Sequence, residues 1–240
     1  SLTSVTIPAS LERIQRYTFN AGSLSSVTIA EGIDSIQEGA FYGTSSLSSI
    51  VIPNSVTSID ATAFMRSGLT SVTLSNNLST IGQSAFHETS LTSLSVPDSV
   101  TSIGYQAFYN VPLETIEIGS IGTFDSYSFQ GVCSTLTTLS VNATSIPNEA
   151  FNGCSKLTSL TLGDNITSIG SRAFQGTSAL NAALDLPSAL TQIANYAFYQ
   201  SGVTSVDIPS GVTSIGEYAF AASSLTSVTI PASLERIQRY

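Results

Sequence analysis

The chain has few charged residues. Only 10% of its 240 residues are charged, the net charge is −9, and Lys156 is the one lysine. Nucleic-acid binding needs lysine and arginine to neutralise phosphates, and anionic membrane surfaces attract polybasic segments. There is also no run of about 18 apolar residues that would cross a bilayer. The composition therefore predicts neither a nucleic-acid partner nor insertion into a membrane.

Residues that carry out chemistry are equally scarce. His87 is the only histidine, and Cys133 and Cys154 are the only cysteines. A catalytic triad needs a particular serine beside a histidine and an acid, but serine recurs throughout this chain, so none is singled out. Two cysteines with no second pair and no nearby histidine do not complete a zinc site. We expect His87 to be a surface residue, and we predict no enzyme, no catalytic residue, no cofactor and no metal.

What the chain does have is an internal repeat. A strand-like core, Leu-x-x-Val-x-Ile-Pro, begins at Leu2 and returns ten times, each 21 to 24 residues after the last. A Val-Thr-Ser-Ile element follows each core or a variant of it, and then Ala-Phe. The phenylalanines of this second position form one column, with Phe124 outside it: Phe19, Phe41, Phe64, Phe86, Phe108, Phe129, Phe151, Phe174, Phe198 and Phe220.

Repeats of this length predict a solenoid. One coil buries too few apolar side chains to offset the entropy of ordering it, so neighbouring coils must stack. Strand alternation places Leu2, Val5 and Ile7 inward and Ser4 and Thr6 outward. We expect parallel strands in the core, a second short strand at Val-Thr-Ser-Ile, and a 3₁₀ or single helical turn through Ala-Phe.

The two ends of the chain carry the same sequence. Ser1–Tyr17 recurs unchanged as Ser224–Tyr240, and the offset of 223 residues equals ten coils. The copy includes surface residues such as Glu12 and Arg13, which packing does not require. We therefore expect one of three origins: tandem super-repeats of a longer protein, the subunit of a head-to-tail filament, or an engineered sequence.

The same count sets the expected domain organisation. We predict a single solenoid domain over 1–240, with ten coils and a partial eleventh. Neither end shows a polar cap, so we expect both to expose apolar surface. The chain does not begin with Met and shows no signal peptide, which predicts either a removed leader or a segment of a longer protein.

The repeat resembles the Treponema pallidum-type, or BspA-like, leucine-rich repeats. The resemblance rests on Leu113-x-x-Ile-x-Ile118, Ile52-Pro-Asn-Ser-Val-Thr-Ser-Ile59, Ala85-Phe86 and Phe151-Asn-Gly-Cys154-Ser-Lys-Leu157. It implies a leucine-rich-repeat solenoid of stacked parallel β coils with short 3₁₀ or helical turns. It also implies a cell-surface or secreted protein that makes adhesive or matrix contacts and has no catalytic residues.

The sequence permits two kinds of covalent modification, a disulfide and N-linked glycosylation. Cys133 and Cys154 occupy nearly equivalent positions of neighbouring coils, which fits either a disulfide or two buried free thiols. Asn77, Asn142 and Asn165 each begin an Asn-x-Ser/Thr sequon. These are candidate N-glycosylation sites, although such sequons also arise by chance in a chain rich in Asn, Ser and Thr.

The outward hydroxyl columns of the strands are the candidate interaction face: Ser4, Thr6, Ser26, Thr28, Ser71, Thr73, Ser159 and Thr161. From these features we predict an extracellular structural or adhesive repeat protein that contacts itself head to tail, or an extracellular protein or glycan. A receptor-like binding module is the alternative. An ice-binding Ser/Thr array is a remote alternative, because Glu117, Asp185 and Asp207 interrupt the columns.

Overall fold

The computed structural model describes residues 2–234, and it is a parallel-strand β-solenoid, as predicted. Each coil consists of the core strand and turns around the column phenylalanine, and every coil except the one with Phe129 also has a two-residue strand that ends in Ile. We number coils by that phenylalanine, so that coil 1 contains Phe19 and coil 10 contains Phe220. The described residues form only two short 3₁₀ helices, Ala9–Leu11 and Val132–Ser134. No helix in this part of the chain has the length and apolar character that crossing a membrane requires.

The chain divides into two compact units. The first runs to Leu113 and includes Tyr127–Val132. In it, β1 pairs with β3, β5 pairs with β7, and the short strands form the ladder β2-β4-β6-β8-β10, all parallel. Its strands are β1 Ser4–Ile7, β2 Arg13–Ile14, β3 Ser26–Ile29, β4 Ser35–Ile36, β5 Ser49–Val51, β6 Ser58–Ile59, β7 Ser71–Thr73, β8 Thr80–Ile81, β9 Ser93–Val96 and β10 Ser102–Ile103.

The second unit comprises Glu114–Ser126 and the chain from Cys133 onward. Here the parallel ladders are β11-β12-β14, β13-β15-β17-β19 and β16-β18-β20. Its strands are β11 Thr115–Ile121, β12 Thr138–Ala143, β13 Ser145–Ile146, β14 Ser159–Leu162, β15 Ser168–Ile169, β16 Ala183–Leu184, β17 Gln192–Ile193, β18 Ser205–Asp207, β19 Ser214–Ile215 and β20 Ser227–Thr229. That the whole chain is one domain stays a prediction.

The core strands alternate as the sequence predicts, apart from Leu2 and from β20, whose three residues are all exposed. In coil 2, Leu24 and Ile29 are buried while Ser26 and Thr28 are exposed. In coil 1, Ile7 is buried, but Leu2 is 60% exposed. The inward placement of Leu2 was therefore wrong, because β1 has a strand partner on one side only, β3.

The column phenylalanines stack ring on ring within each unit, as the repeat predicts. In the first unit, the Phe64 centroid lies 5.2 Å from that of Phe41 and 5.2 Å from that of Phe86. In the second unit, Phe174 lies 5.8 Å from Phe151 and 5.3 Å from Phe198. All of these rings are fully buried. The column is therefore the continuous spine of each unit's core.

The backbone around each column phenylalanine is not the helical turn that we expected. In coil 3, φ is positive two residues before Phe64, at Thr62, and two residues after it, at Arg66. The N–H groups of these three residues donate to carbonyls of the next coil at 2.9, 2.8 and 2.8 Å. In a helix every N–H group would donate back along its own chain, whereas here only the alternate residues do so, such as Met65 to the Thr62 carbonyl at 3.1 Å. We call this five-residue arrangement, which recurs from coil to coil, the phenylalanine turn.

The close stacking leaves no room for a side chain at Gly68, and this gives a first prediction. A Cβ there would overlap the carbonyl of Ser45, whereas a Cβ at Gly122 would meet no atom within 4 Å. We expect Gly68→Ala to lower the free energy of unfolding by about 1–3 kcal/mol, the usual loss on overpacking. The matched change Gly122→Ala should alter it by about 0.5 kcal/mol or less. Urea unfolding followed by circular dichroism measures both, and equal losses would contradict the packing described.

Candidate interaction surface

The predicted hydroxyl face lies on the core strands, and all eight of its residues are exposed. In the first unit, Ser4 lies directly beside Ser26 and Thr6 beside Thr28 in the strand register. The remaining pairs place Ser71 by Ser49, Thr73 by Val51, Ser159 by Thr138 and Thr161 by Ser140. None of the eight side-chain hydroxyls forms a hydrogen bond within residues 2–234. The face thus presents hydroxyl donors and acceptors to solvent at regular intervals.

An open groove crosses this face in the first unit. It has a volume of about 470 Å³, and its lining includes Ser26, Thr28, Glu31 and Val51. Val51 is 65% exposed and interrupts the hydroxyl column with an apolar side chain. The Glu31 carboxylate accepts the N–H groups of Asn54 and Ser55 at 3.1 and 2.9 Å, which fixes it at the rim.

A second surface, which the sequence reasoning missed, follows the phenylalanine turns of the second unit. The Arg172 guanidinium lies 5.2 Å from the ring centroid of Tyr196, and that ring stacks on Tyr218 at 5.0 Å. On its other side, Arg172 Nη1 lies 3.6 Å from a carboxylate oxygen of Glu149. All four residues stand two places before a column phenylalanine. This shared position in the repeat is the sequence feature from which the row of four residues could have been predicted.

The first unit carries an ion pair between residues that stand two places after a column phenylalanine, Arg66 after Phe64 and Glu88 after Phe86. Arg66 Nε donates to Glu88 Oε2 at 2.7 Å, and this hydrogen bond holds the pKa of Glu88 below its ordinary value. His87 Nε2 lies 3.7 Å from the other Glu88 oxygen, and its ring stacks on Tyr109 at 4.7 Å. The His87 side chain is only 13% exposed, so the expectation of a surface residue was wrong. The cause is its stacking on the aromatic residue of the next coil.

The Arg66–Glu88 pair gives a prediction about pH. A carboxyl group whose pKa is lower in the folded state stabilises the fold above its unfolded pKa, and loses that contribution as pH falls through its folded pKa. We expect Arg66→Gln to raise the pKa of Glu88 towards its ordinary value and to remove this small contribution, so that stability falls less between neutral and acidic pH. NMR titration of the Glu88 side chain measures the shift. An unchanged Glu88 pKa in this variant would show that Arg66 does not lower it. The pair is exposed, so stability near neutral pH should hardly change.

The two cysteines are joined by a disulfide, with their Cα atoms 4.1 Å apart. Cys154 is fully buried in the second unit. The bond ties neighbouring coils where the repeat is least regular. There the strand register shifts between Ile118 and Ser120, and Phe124, outside the column, packs at a 60° tilt on Phe151.

The three sequon asparagines occupy different environments. Asn77 and Asn165 are exposed, whereas Asn142 is half-buried in β12. Asn77 Nδ2 donates to the Asn54 carbonyl, and Asn142 Nδ2 donates to Ser120 Oγ, each at 2.9 Å. Glycosylation at these positions stays a prediction. Within the described part of the chain, no three His, Cys, Asp or Glu residues lie together in a way that would hold a metal ion.

Apolar side chains are exposed in the first coil and at β20. In the first coil these are Leu2 and Leu11. At β20, Val228 and Ile230 are about half exposed, although Val206, the register partner of Val228, is buried. The surface residues of the second copy, Glu235, Arg236, Gln238 and Arg239, lie outside the described residues.

Comparisons with known proteins identify the repeat. The family model for the BspA-type leucine-rich repeat region, which spans six copies, matches residues 1–114, 57–144 and 122–240. No curated protein is found to match the chain.

Several solved structures are similar to this chain. One is a leucine-rich cell surface protein from Faecalibacterium prausnitzii, with 23% identity over 95% of this chain and 79% of that one, and a TM-score of 0.44. Another is the pneumococcal vaccine antigen PcpA, with 21% identity over 99% and 68% of the two chains and a TM-score of 0.49. A third is the Treponema pallidum leucine-rich repeat protein, with 22% identity over 74% and 77% and a TM-score of 0.49.

Proposed function

Because the chain belongs to the BspA-type leucine-rich repeat family, we propose that it is an extracellular structural or adhesive repeat protein without enzymatic activity. The observation that carries this proposal is the hydroxyl face, whose side chains repeat in direct register from strand to strand. Such a face offers one set of donors and acceptors many times over. Repeated weak contacts of this kind give strong attachment to an equally repetitive partner, such as a matrix protein or a glycan.

The disulfide supports an extracellular location. Bonds of this kind persist in secreted and cell-surface proteins and are rare where glutathione and thioredoxin keep thiols reduced. Cys133 and Cys154 supply both sulfur atoms from within one unit, so the bond serves folding rather than attachment to another chain.

End-to-end continuation of the coils is the second part of the proposal, either as a longer tandem array or as a head-to-tail filament. Its support is the repetition of Ser1–Tyr17 as Ser224–Tyr240, together with the exposed side chains of Leu2, Leu11, Val228 and Ile230. Exposed apolar side chains beside a strand edge favour association with a further strand.

A receptor-like binding module for a protein or glycan is the alternative, and the groove beside Val51 favours it. An apolar side chain between hydroxyl columns, with the Glu31 carboxylate at the rim, is a more selective surface than a uniform hydroxyl face. A single tight ligand in a protein and glycan screen, lost in Val51→Lys, would favour this alternative over broad adhesion. The remote ice-binding alternative predicts inhibition of ice recrystallisation by the chain.

Adhesion to immobilised matrix proteins and mucins tests the main proposal. The double variant Ser26→Lys and Thr28→Lys should reduce retention on these surfaces at least several-fold, because two ammonium groups replace paired hydroxyls. The control variant Gln83→Lys and Asn152→Lys adds the same charge at exposed positions beside the phenylalanine turns, away from the strand face, and should bind normally. Antibody should also label intact, unpermeabilised source cells. Labelling only after permeabilisation, or equal adhesion of both variants, would refute the proposal.

A further inference from the structure

The phenylalanine turns give each stack a direction. In coil 9, the N–H groups of Tyr196, Phe198 and Gln200 donate to carbonyls of coil 10 at 2.9, 2.7 and 3.1 Å. The turns described above for coil 3 donate in the same sense. Paired parallel strands, by contrast, send both N–H and C=O groups to each neighbour. A coil therefore presents three N–H groups on the side of the following coil, and carbonyls on the other side.

The first and last coils hold the two unused halves of this arrangement. In coil 10, the N–H groups of Phe220 and Ala222 have no acceptor among residues 2–234. In coil 1, the carbonyls of Thr18 and Asn20 accept no hydrogen bond within the same residues. Coil 1 also has an apolar groove of about 290 Å³ beside these carbonyls. One surface needs acceptors and the other needs donors.

The repeated sequence shows how these surfaces fit together. Residues 2–11 are identical to residues 225–234, and the structure describes the two copies in different surroundings. The first copy places Ser4 beside Ser26 of coil 2. The second places Ser227 beside Ser205 of coil 10. One sequence therefore fits between coil 10 on one side and coil 2 on the other.

We propose that coil 1 of a second copy of this chain stacks on coil 10, in the place that residues 224–234 occupy here. This rests on the end-to-end assembly proposed above and adds its direction and register. Ser4 of the second copy lies beside Ser205, in the position of Ser227. The N–H groups of Phe220 and Ala222 donate to the carbonyls of the second copy's Thr18 and Asn20. Contacts between two like ends do not form, because each would set donors against donors or acceptors against acceptors.

Thiol cross-linking between two labelled proteins tests the register. One protein carries Ser4→Cys and the other Ser205→Cys, while Cys133 and Cys154 remain in their disulfide. A short bis-maleimide should join the two into a cross-linked dimer. The changes Val228→Asp and Ile230→Asp, added to the Ser205→Cys protein, should raise the yield several-fold, because they weaken the competing segment. Ser71→Cys, at an equivalent column position inside the stack, is the control and should give only background with Ser205→Cys.

Two outcomes would overturn the inference. Dimers that form as readily between two Ser4→Cys proteins as between the Ser4→Cys and Ser205→Cys proteins would contradict the proposed head-to-tail direction of stacking. The chain could also remain monomeric in sedimentation velocity as its concentration rises, with and without Val228→Asp and Ile230→Asp. That result would contradict the proposed association of two copies. Surface labelling and adhesion do not depend on either result. A failed cross-link therefore leaves the adhesive function in place, and failed labelling leaves the register in place.

Discussion

Phe64→Ala should lower the free energy of unfolding by about 3–5 kcal/mol, the loss usual for a deleted aromatic side chain in a core. The ring is fully buried and stacks on Phe41 and Phe86, each at 5.2 Å. In a solenoid, stability comes mainly from the contacts between neighbouring coils. Removing one ring therefore weakens two such contacts at once. Chemical denaturation followed by circular dichroism measures the loss.

Phe19→Ala is the matched control for this prediction. Phe19 belongs to the same column, but it is only half-buried, and among residues 2–234 it stacks on one ring, that of Phe41 at 5.3 Å. We expect its replacement to destabilise the chain by clearly less than Phe64→Ala. Equal losses for both variants would show that ring stacking between coils does not govern stability. A loss at Phe64 below about 1 kcal/mol would have the same meaning, because it lies outside the range for a buried aromatic.

Reduction of the Cys133–Cys154 disulfide is expected to cost about 2–4 kcal/mol. The two residues are 21 apart in sequence, and a cross-link over a loop of this length removes about that much entropy from the unfolded chain. Dithiothreitol should therefore lower the denaturation midpoint of the native chain. It should have no effect on the variant with both Cys133→Ala and Cys154→Ala. An equal effect of the reductant on both proteins would contradict a structural role of the bond.

The sequence predicts those features of the fold that every coil must repeat. The column from Phe19 to Phe220 and the outward hydroxyls follow from burial and strand alternation, which recur in each coil. The burial of a residue that depends on one particular neighbour could not be predicted from the repeat. Leu2 is exposed because β1 has only β3 beside it, and His87 is largely covered because Tyr109 happens to lie next to it.

The phenylalanine turn was unpredictable for a different reason. In a sequence, glycine usually indicates a position with positive φ, because it adopts that conformation without strain. Glycine occupies some positions of this turn, such as Gly39, Gly43 and Gly176, but Thr62, Arg66 and Tyr196 adopt the same conformation, and nothing in their side chains indicates this. The row formed by Arg172 and Tyr196 escaped notice for the same reason. Its members share only a register within a turn whose form the sequence indicates at a few coils, those with glycine.

The backbone of the phenylalanine turn also bears on how such proteins diversify. Hydrogen bonds to the next coil hold its shape, and in most coils the side chain two places before the phenylalanine is exposed or half-buried, although Ser84 is buried and a Cβ at Gly39 would overlap the Tyr17 ring. Thr62, Gln106, Glu149 and Arg172 occupy equivalent positions with the same backbone conformation. Coils in which this residue is exposed, such as those with Glu149 and Arg172, can therefore exchange it for one of different size or charge while the fold stays unchanged. Substitutions at these exposed positions change the charge and shape of the surface along the row and leave the hydrogen-bonded backbone beneath it in place.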